Sequence, residues 1–421
     1  MTLSAPETAW NQRMIEGRSL RQDVNPSSEA LLPPGSRIAF VLPALQVGGA
    51  EQVVRLLARG MMNRHQVLVV GAFDGGAMAA AFERDGIPWV ALHNRRRLRK
   101  PATWLLSLAQ SVVELRRVLL QFSPQVVNVH LLGPEIDTLL AARLAGIRNA
   151  IVTLHSTDPL FASRRAMDRA HQFQLRSVYA RFSAAIAISS EVRDWAVNHR
   201  IVRSDHVYVV QNGIDLEAVA DRSQRESWRK QYRIPAKEFV FISVASLRPC
   251  KGHALLFQAL SCIPEQLRSR LTLLLAGDGP ERHRLEEQVS ALGIGDCVRF
   301  LGMRDDVPAL LALSDAFVVS SSHEGLSMAT LEAMATALPV VSTRVAGSTL
   351  IIRDGVNGIL VPTSSSEELS KALIYCLEHP EAMGRMGRAA RASVVSDFGA
   401  TQMVQATESV FARVTGCSRT R

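Results

Sequence analysis

Cysteine, aromatic residues and long apolar runs are all scarce in this chain of 421 residues. The five cysteines, Cys250, Cys262, Cys297, Cys376 and Cys417, form no CxxC pair and have no spacing suited to a metal site. Their odd number argues against a fully paired disulfide framework. We therefore expect the chain to reside in a reducing compartment, the cytosol.

No stretch reads as a comfortable membrane span. The segment 103–122 is apolar and amphipathic, but Glu114, Arg116 and Arg117 interrupt it. The first 36 residues are polar, carry mixed charges and lack the apolar region of a signal peptide. We expect residues 1–36 to be disordered or loosely attached, with the PPG sequence at 33–35 marking the entry to the fold.

The net charge of +9 comes from 48 basic and 39 acidic residues. Aromatic residues make up 5% of the chain, and no array of aromatic and basic residues accompanies the charge, so we expect no nucleic-acid partner. The sharpest basic cluster precedes segment 103–122 and comprises Arg95, Arg96, Arg97, Arg99 and Lys100. Two interpretations stay open: a basic, apolar helix that rests on an anionic membrane, or a core-packed helix behind a solvated loop.

The length and the hydrophobic content of 47% predict two domains. Short apolar runs alternate with helix-like stretches, which indicates parallel sheets covered on both faces. The predicted strands are 37–42, 67–71, 88–92, 126–130, 151–154, 185–188, 207–210, 239–244, 271–276, 298–301, 316–320, 339–343 and 358–361.

The polar, charge-rich segment 212–238 is predicted to be a linker between the two sets of strands. We therefore divide the chain into a first domain at 37–211, a second at 239–398 and a C-terminal segment at 399–421. The predicted fold class is α/β, with two doubly wound, Rossmann-like parallel sheets that face a central cleft.

Two carboxylates eight residues apart carry the strongest functional signal. Glu324 lies in a glycine-containing loop after a predicted strand, and Glu332 lies on the helix that Ser327 is expected to cap. Eight helical residues span roughly 12 Å, about the reach from a sugar ring across a diphosphate to a ribose. A phosphate would then lie at the helix N-terminus. The alternative is a solvated loop acid followed by an ordinary surface helix.

Further candidates follow other predicted strands. Gly48 and Gly49 come after the first strand, where missing Cβ atoms allow a ligand to approach the backbone, although a tight turn needs the same residues. The absence of a full GxGxxG argues against a nicotinamide-dependent oxidoreductase. No Asp-x-Asp lies at a strand end, so no metal is implied, and Asp305 and Asp306 are expected to be structural.

The segment 320–343, SSSHEGLSMATLEAMATALPVVST, followed by VAGSTLIIRDGVNGILV, resembles the donor-site signature of glycosyltransferase family 4. Other stretches agree in the order expected for that family: LPALQVGGAEQVV, NVH, TLHS, QNGID, SLRPCKGH, LLLAGDGPER and VRFLGMRDDVP. The resemblance spans about residues 37–398.

The resemblance implies the GT-B architecture, with a C-terminal helix that crosses back to the first domain. It implies a retaining transfer of a hexose-type sugar from a UDP- or GDP-sugar to a saccharide or lipid-linked glycan, which forms an α-glycosidic bond. The nucleotide sugar is a co-substrate, and neither a cofactor nor a metal is implied. Surface-polysaccharide or lipopolysaccharide synthesis is the expected pathway, at the cytoplasmic side of the membrane.

The resemblance also assigns roles residue by residue. Glu324 would contact the transferred sugar and stabilise positive charge at its anomeric carbon, and Glu332 would hold the ribose hydroxyls. Lys251 and Arg248 would neutralise the departing diphosphate. The remaining assignments are donor-binding for Gly49, Gly325, Leu326 and Ser327, sugar or acceptor contact for His130, and the acceptor side for Gly48 and His155.

Three positions depart from the family pattern. Ser246 stands where an arginine is usual, so that Arg248 would have to replace it, Ala337 stands where glycine is common, and Leu350 replaces an acid. Ser246 and Leu350 keep an alternative open: a catalytically silent subunit that retains the fold and binds a nucleotide or a partner enzyme.

Overall fold

The computed structural model describes residues 31–92, 101–131, 133–157 and 166–417, with the backbone alone at 101–105, 166–171 and 417. The described strands form two fully parallel sheets, one of seven strands and one of six. The first sheet consists of β1 (Arg37–Ala44), β2 (Gln66–Asp74), β3 (Trp89–Ala91), β4 (Val126–His130), β5 (Ala150–Leu154), β6 (Ala184–Ala187) and β7 (Val207–Val209). The second consists of β8 (Phe239–Val244), β9 (Leu271–Ala276), β10 (Val298–Gly302), β11 (Ala316–Val319), β12 (Val340–Thr343) and β13 (Gly358–Val361).

All the predicted strands occur, with ends that differ from the prediction by up to three residues. The apolar runs are uninterrupted because helices cover both faces of each sheet, and every residue of β4, β5, β9, β11 and β12 is buried. The fold class predicted from the sequence is therefore confirmed.

Helices connect the strands on both faces. Those that accompany the first sheet are α1 (Gly49–Met61), α2 (Ala79–Arg84), α3 (Pro101–Phe122), α4 (Glu135–Leu144), α5 (Ala166–Tyr179) and α6 (Ser190–Asn198). The rest of the described helices are α7 (Arg225–Gln231), α8 (His253–Ser261), α9 (Glu265–Arg268), α10 (Arg282–Ala291), α11 (Val307–Leu313), α12 (Met328–Ala335), α13 (Ala346–Ile351), α14 (Ser366–Glu378), α15 (Pro380–Asp397) and α16 (Ala400–Cys417).

The strand order reverses once in each sheet. The first sheet runs β3-β2-β1-β4-β5-β6-β7, and the second runs β10-β9-β8-β11-β12-β13. The loops after β1 and β4 diverge to opposite faces of the first sheet, and those after β8 and β11 do the same in the second. Such switch points leave a crevice at the carboxyl ends of the strands, where open α/β sheets bind their ligands.

The C-terminal helix α16 lies against α1 of the first sheet. The buried His65 Nε2 and Glu408 Oε1 are 3.0 Å apart, and a Cβ on Gly60 would lie 2.6 Å from Val404 Cγ2. Ile214, after the first sheet, donates its backbone N–H to Phe398 O at 2.9 Å and accepts one from Ala400 at 2.9 Å. The chain therefore passes between the two sheets twice, once near Ile214 and once near Phe398 and Ala400, and the two passages lie side by side.

None of the helices in the described part of the chain is long and apolar enough to cross a membrane. Helix α3 buries Val112, Leu115 and Leu119, while Leu106 and Val113 stay exposed. The predicted helix at 103–122 is therefore confirmed, with one packed face. The basic cluster Arg95, Arg96, Arg97, Arg99 and Lys100 lies outside the described residues.

Candidate active site

Glycines lie at the points where the carboxyl edges of the two sheets come close together. A Cβ on Gly49, the first residue of α1, would lie 3.5 Å from Met328 Cγ at the start of α12. A Cβ on Gly325 would lie 2.7 Å from the carbonyl oxygen of His155, which directly follows β5. The loop after β11 therefore packs closely against the first sheet, and no side chain fits at position 325.

Glu324 and Lys251 are brought together by the loops that follow β11 and β8. The Lys251 ammonium forms an ion pair with the Glu324 carboxylate, and Ser321 Oγ donates to the same carboxylate oxygen at 3.0 Å. Their side chains are 22% and 15% exposed, so the pair is partly screened from water yet open to a ligand. An anionic and a cationic group thus share one end of the cleft.

The two loops are held to each other by hydrogen bonds to backbone carbonyls. Ser320 Oγ donates to the Lys251 carbonyl at 2.9 Å, and Ser322 N–H donates to the Cys250 carbonyl at 2.9 Å. Gly252 has φ +67°, and a Cβ there would lie 1.9 Å from Ser320 O, so glycine is required by both space and backbone conformation. These contacts fix the backbone positions from which the Lys251 and Glu324 side chains extend.

Helix α13 contacts the loop that carries Glu324 from the opposite side. The N–H of Gly347 donates to Glu324 O at 3.1 Å, and a Cβ on Gly347 would lie only 1.7 Å from Gly325 O. Leu350, where the family pattern has an acid, is partly buried and packs against the apolar core. The residue at 347 therefore controls the position of the Glu324 loop more directly than residue 350 does.

The N-terminus of α12 is capped as predicted: Ser327 Oγ accepts the N–H of Thr330 at 3.3 Å. Among the described residues, the backbone N–H groups of Gly325, Leu326 and Ser327 have no hydrogen-bond acceptor. The Leu326 side chain is 5% exposed and belongs to the core, so only its backbone can meet a ligand. These amides and the helix dipole suit an anion.

Glu332 lies on α12, one and a half turns beyond the cap, and is partly exposed. Desolvation of its carboxyl raises its pKa to about 7. No side chain in the described part of the chain hydrogen-bonds this carboxyl, so both oxygens are available to a ligand's hydroxyl groups.

His130 and His155, which end or follow neighbouring strands, lie in one hydrogen-bonded chain. Asn128 Oδ1 is 2.8 Å from His130 Nε2, and His130 Nδ1 is 2.9 Å from His155 Nε2. Burial lowers the pKa of His155 to about 4, and burial together with the neighbouring His155 lowers the pKa of His130 well below its usual value. Both imidazoles are therefore neutral at pH 7.

The remaining predicted site residues lie at the rim. Arg248 is exposed and, within the described residues, makes no side-chain hydrogen bond or ion pair, while Ser246 N-terminal to it is partly buried. Gly48 caps α1 in an extended conformation, and a Cβ there would meet Glu51 Oε2 at 2.4 Å. Glu51 is buried at this loop, and desolvation raises its pKa.

A cavity of about 220 Å³ lies beside Glu324. Its lining comes from both halves of the chain and includes Thr157, Glu191, His323 and Arg344. Sequence reasoning did not select these four residues, because they meet only in the folded chain, and it did not select Ser321 or Asn128 either. Only Asn128 carried a local signal, since it lies two residues before His130 and so on the same face of β4.

Metal-ligating side chains do not cluster among the described residues: no group of three or more His, Cys, Asp or Glu could hold an ion. Asp306, in the predicted polar turn, instead accepts two hydrogen bonds from Arg304, at 2.7 and 2.5 Å. In the described part of the chain, Cys250, Cys262, Cys297 and Cys376 are free thiols.

Two family models match the chain in succession. Residues 47–218 match the model "Glycosyltransferase Family 4", and residues 224–393 match "Glycosyl transferases group 1". The junction between the two matches falls in the predicted linker, where the chain passes from the first sheet to the second.

Individual proteins agree with the family models. The N-acetyl-alpha-D-glucosaminyl L-malate synthase of Bacillus anthracis is 29% identical over 310 residues, which are 73% of this chain and 78% of that protein. The UDP-Gal:alpha-D-GlcNAc-diphosphoundecaprenol alpha-1,3-galactosyltransferase of Escherichia coli is 23% identical over 303 residues, 71% of this chain and 78% of that protein. The crystal structure of Anabaena Alr3699/HepE in complex with UDP and glucose superimposes with a TM-score of 0.75 at 25% identity, covering 88% of this chain and 97% of HepE.

Proposed function

Because the chain belongs to glycosyltransferase family 4, with two doubly wound domains in the GT-B arrangement, we propose that it is a retaining enzyme that uses a nucleoside-diphosphate sugar. It transfers a hexose-type sugar from a UDP-sugar or a GDP-sugar to a hydroxyl of a saccharide or lipid-linked glycan, and it forms an α-glycosidic bond. The domains are 37–211 and 239–398, joined by the linker 212–238, with 1–36 as an N-terminal extension and 399–421 as the returning segment.

One observation carries this proposal: the Lys251–Glu324 ion pair lies next to the unpaired amides at the start of α12. A cation and backbone N–H groups suit a diphosphate, and a carboxylate suits the sugar attached to it. The E. coli relative is named as acting on UDP-Gal, and HepE binds UDP and glucose, which supports a nucleotide-sugar donor for this chain.

In the proposed reaction the bond between the anomeric carbon and the diphosphate oxygen breaks, and its electron pair leaves with the diphosphate. The acceptor hydroxyl oxygen bonds to the same face of the anomeric carbon, and its proton passes to the departing diphosphate. Lys251 and the α12 amides stabilise the charge on the diphosphate, and Glu324 stabilises the positive charge on the sugar. Glu332 accepts hydrogen bonds from the ribose. No step requires a metal.

Thermal stabilisation by UDP, GDP, NAD and a panel of UDP- and GDP-sugars tests the donor. We expect a rise in melting temperature with one diphosphate and its sugars, lost in Glu332→Ala. NMR of the product from the stabilising sugar then reports the anomeric configuration. A rise with none of the nucleotides would favour the catalytically silent alternative, and a β-linked product would contradict retention.

For the pathway we propose surface-polysaccharide or lipopolysaccharide synthesis at the cytoplasmic face of a membrane. The relative named for a diphosphoundecaprenol acceptor supports a lipid-linked substrate. The exposed face of α3 supports membrane contact, since Leu106, Val113 and Leu120 recur every seventh residue and are 67%, 58% and 45% exposed. Arg116 and Arg117 lie exposed on the same helix.

Co-sedimentation with phosphatidylglycerol vesicles and with phosphatidylcholine vesicles tests this contact. We expect the protein to bind only the anionic vesicles, and Val113→Glu to abolish binding. Val356→Glu, a matched change at a residue 56% exposed in the other half of the chain, is expected to bind like the wild type. Equal binding by both variants would exclude α3 as the contact.

A further inference from the structure

A second cavity, of about 260 Å³, lies at the edge of the second sheet opposite to the cleft. Its lining includes Phe239, the first residue of β8, and Asp315, which directly precedes β11. Lys251 and Glu324 follow the other ends of the same two strands. The six residues of β8 span roughly 20 Å, so this cavity is separate from the candidate donor site.

Positive charge predominates in the lining of this cavity. Four cationic side chains face two carboxylates, which leaves an excess of two positive charges. The apolar part of the lining packs against the core of the second sheet, and an apolar surface strengthens the attraction between the cations and an anion. The cations are Arg225, Arg229, Lys237 and Arg270, the acids are Glu238 and Asp315, and the apolar side chains include Phe239, Leu267 and Leu377.

Both carboxylates already have partners within the protein. Asp315 forms ion pairs with Arg225 and Arg229, and Glu238 accepts a hydrogen bond from the buried Thr272 hydroxyl. The other two cations of the lining make no side-chain hydrogen bond or ion pair within the described part of the chain. The excess charge therefore lies on side chains that are available to a ligand.

Arg229 has a structural role in this cluster. Its Nε donates to Leu313 O at 3.0 Å, and its Nη1 donates to two further carbonyls at 3.0 and 3.3 Å, so the guanidinium joins α7 to the second sheet. In Arg225, by contrast, Nη1 has no hydrogen-bond acceptor among the described residues. The cations that can meet a ligand are therefore Arg225, Lys237 and Arg270.

A further arginine adds to the positive charge behind the cavity. Arg222 lies three residues before Arg225, and its Nη2 donates to Ser314 O at 2.9 Å. Its Nη1 is buried and has no hydrogen-bond partner in the described part of the chain. Burial, and then the neighbouring Arg225, lowers the pKa of the Arg222 guanidinium. The cluster thus holds more positive charge than its protein partners neutralise.

We propose that this cavity binds a phosphoryl group, supplied by a free phosphate ester or by a phospholipid headgroup, and that Arg225, Lys237 and Arg270 hold it. The excess of two positive charges matches a phosphate monoester, which carries about −1.5 to −2 at pH 7. Guanidinium groups also suit the geometry of phosphate oxygens.

The size of the cavity favours a small ligand. Its volume of about 260 Å³ is below the roughly 300–1,000 Å³ of pockets that enclose drug-sized molecules, so it suits a phosphate ester better than a whole nucleotide. The site therefore goes beyond the proposed transfer reaction, and its ligand differs from the nucleotide sugar.

Calorimetry with inorganic phosphate and with glycerol 3-phosphate tests the site. The titrated protein is Lys251→Ala, which lacks the cation of the cleft. We expect saturable binding that weakens as the salt concentration rises. Arg270→Ala in this protein should weaken binding at least about tenfold, and Arg270→Glu should abolish it. Arg270→Lys should bind more tightly than Arg270→Ala because it keeps the charge.

Arg270 is exposed, so its substitution is expected to leave the fold intact. Arg84→Ala is the matched control, since Arg84 is an exposed arginine on α2 of the first domain. We expect Arg84→Ala to bind phosphate like the Lys251→Ala parent.

Vesicles distinguish the two sources of the phosphoryl group. Co-sedimentation uses phosphatidylcholine vesicles with and without phosphatidic acid, and the Val113→Glu protein, from which the contact proposed for α3 is absent. Binding to the phosphatidic acid vesicles that Arg270→Glu abolishes would assign the site to a lipid headgroup. Binding of the soluble phosphates alone would assign it to a free phosphate ester.

Two results would overturn the proposal. One is the absence of saturable binding to both the soluble phosphates and the vesicles, or equal affinity in Arg270→Glu and its parent. The other is phosphate binding by the wild type that disappears in Lys251→Ala, because the phosphate would then lie in the cleft.

Discussion

Lys251 and Glu324 form an ion pair although 73 residues separate them in the chain. One follows β8 and the other follows β11, so the pair bridges the switch point of the second sheet. A diphosphate that enters the cleft competes with Glu324 for the ammonium, and the sugar hydroxyls compete with Lys251 for the carboxylate. Donor binding therefore exchanges one internal ion pair for two contacts with the ligand.

Removal of the cation should weaken binding of the diphosphate. Lys251→Ala is expected to bind the preferred nucleoside diphosphate about 10- to 100-fold more weakly, because a charge-assisted contact is lost. Lys237→Ala is the control, since Lys237 is exposed and lines a different cavity. Calorimetry measures both. Equal affinity in Lys251→Ala and wild type would mean that the diphosphate lies elsewhere.

Substitution of Glu324 and substitution of Glu332 should change different kinetic constants. Glu324→Ala is expected to lower kcat by about 100-fold or more while the diphosphate still binds, because its carboxylate acts on charge that develops in the transition state. Glu332→Ala should mainly raise KM and weaken nucleotide binding, because the ribose contact is present throughout. Steady-state kinetics with the identified donor and acceptor separate the two. Wild-type transfer rates in both variants would reject the site.

Glu332 should make nucleotide binding depend on pH. Its pKa of about 7 means that the folded protein holds a proton that the unfolded chain releases above its ordinary pKa of 4.5. The folded state is therefore destabilised as pH rises from 4.5 through about 7, whereas the ionised carboxylate is the better acceptor for ribose hydroxyls.

We expect Glu332→Gln to gain stability over the wild type by roughly 2 kcal/mol between pH 5 and pH 8, by urea unfolding. Nucleotide affinity of the wild type should rise over the same range, and that of the variant should stay flat. A stability difference that is constant with pH would show that the carboxyl titrates normally.

The sheets could be predicted well because a strand that is buried on both faces has a local signal, a short continuous apolar run, as in Val126–His130 and Leu271–Ala276. The helix cap at Ser327 could also be predicted, because it depends only on residues next to it in the sequence. The Lys251–Glu324 pair and the His130–His155 chain were not predictable, because each depends on which strands become neighbours. The close contact between Gly325 and Gly347 is of the same kind, since it is a distance between two loops and leaves no pattern in either one.

Gly347 should tolerate no side chain. A Cβ there would lie 1.7 Å from Gly325 O, so Gly347→Ala must move the loop that carries Glu324. We expect kcat/KM to fall by about 100-fold or more, since catalytic groups misplaced by about 1 Å lose that much. Gly295→Ala is the control, because a Cβ at Gly295 meets nothing within 4 Å. Activity of Gly347→Ala close to that of Gly295→Ala would show that the loop does not position Glu324.

Ala337, where glycine is common in the family pattern, is expected to reduce the stability of the protein. It adopts φ +58°, the left-handed region, one residue beyond Thr336, the C-cap of α12. A residue with a Cβ pays about 1–2 kcal/mol there, and glycine pays about 0.5–1 kcal/mol in lost backbone freedom. Ala337→Gly should therefore stabilise the protein by about 0.5–1 kcal/mol in urea unfolding.

The opposite sign is expected two residues earlier. Ala335 is helical and buried, so Ala335→Gly should destabilise the protein by about 1 kcal/mol or more. The same substitution thus changes sign with backbone conformation, and equal losses in both variants would show that position 337 is not strained. Because α12 carries Glu332, transfer activity measured beside stability would further show whether relief of this strain shifts the donor site.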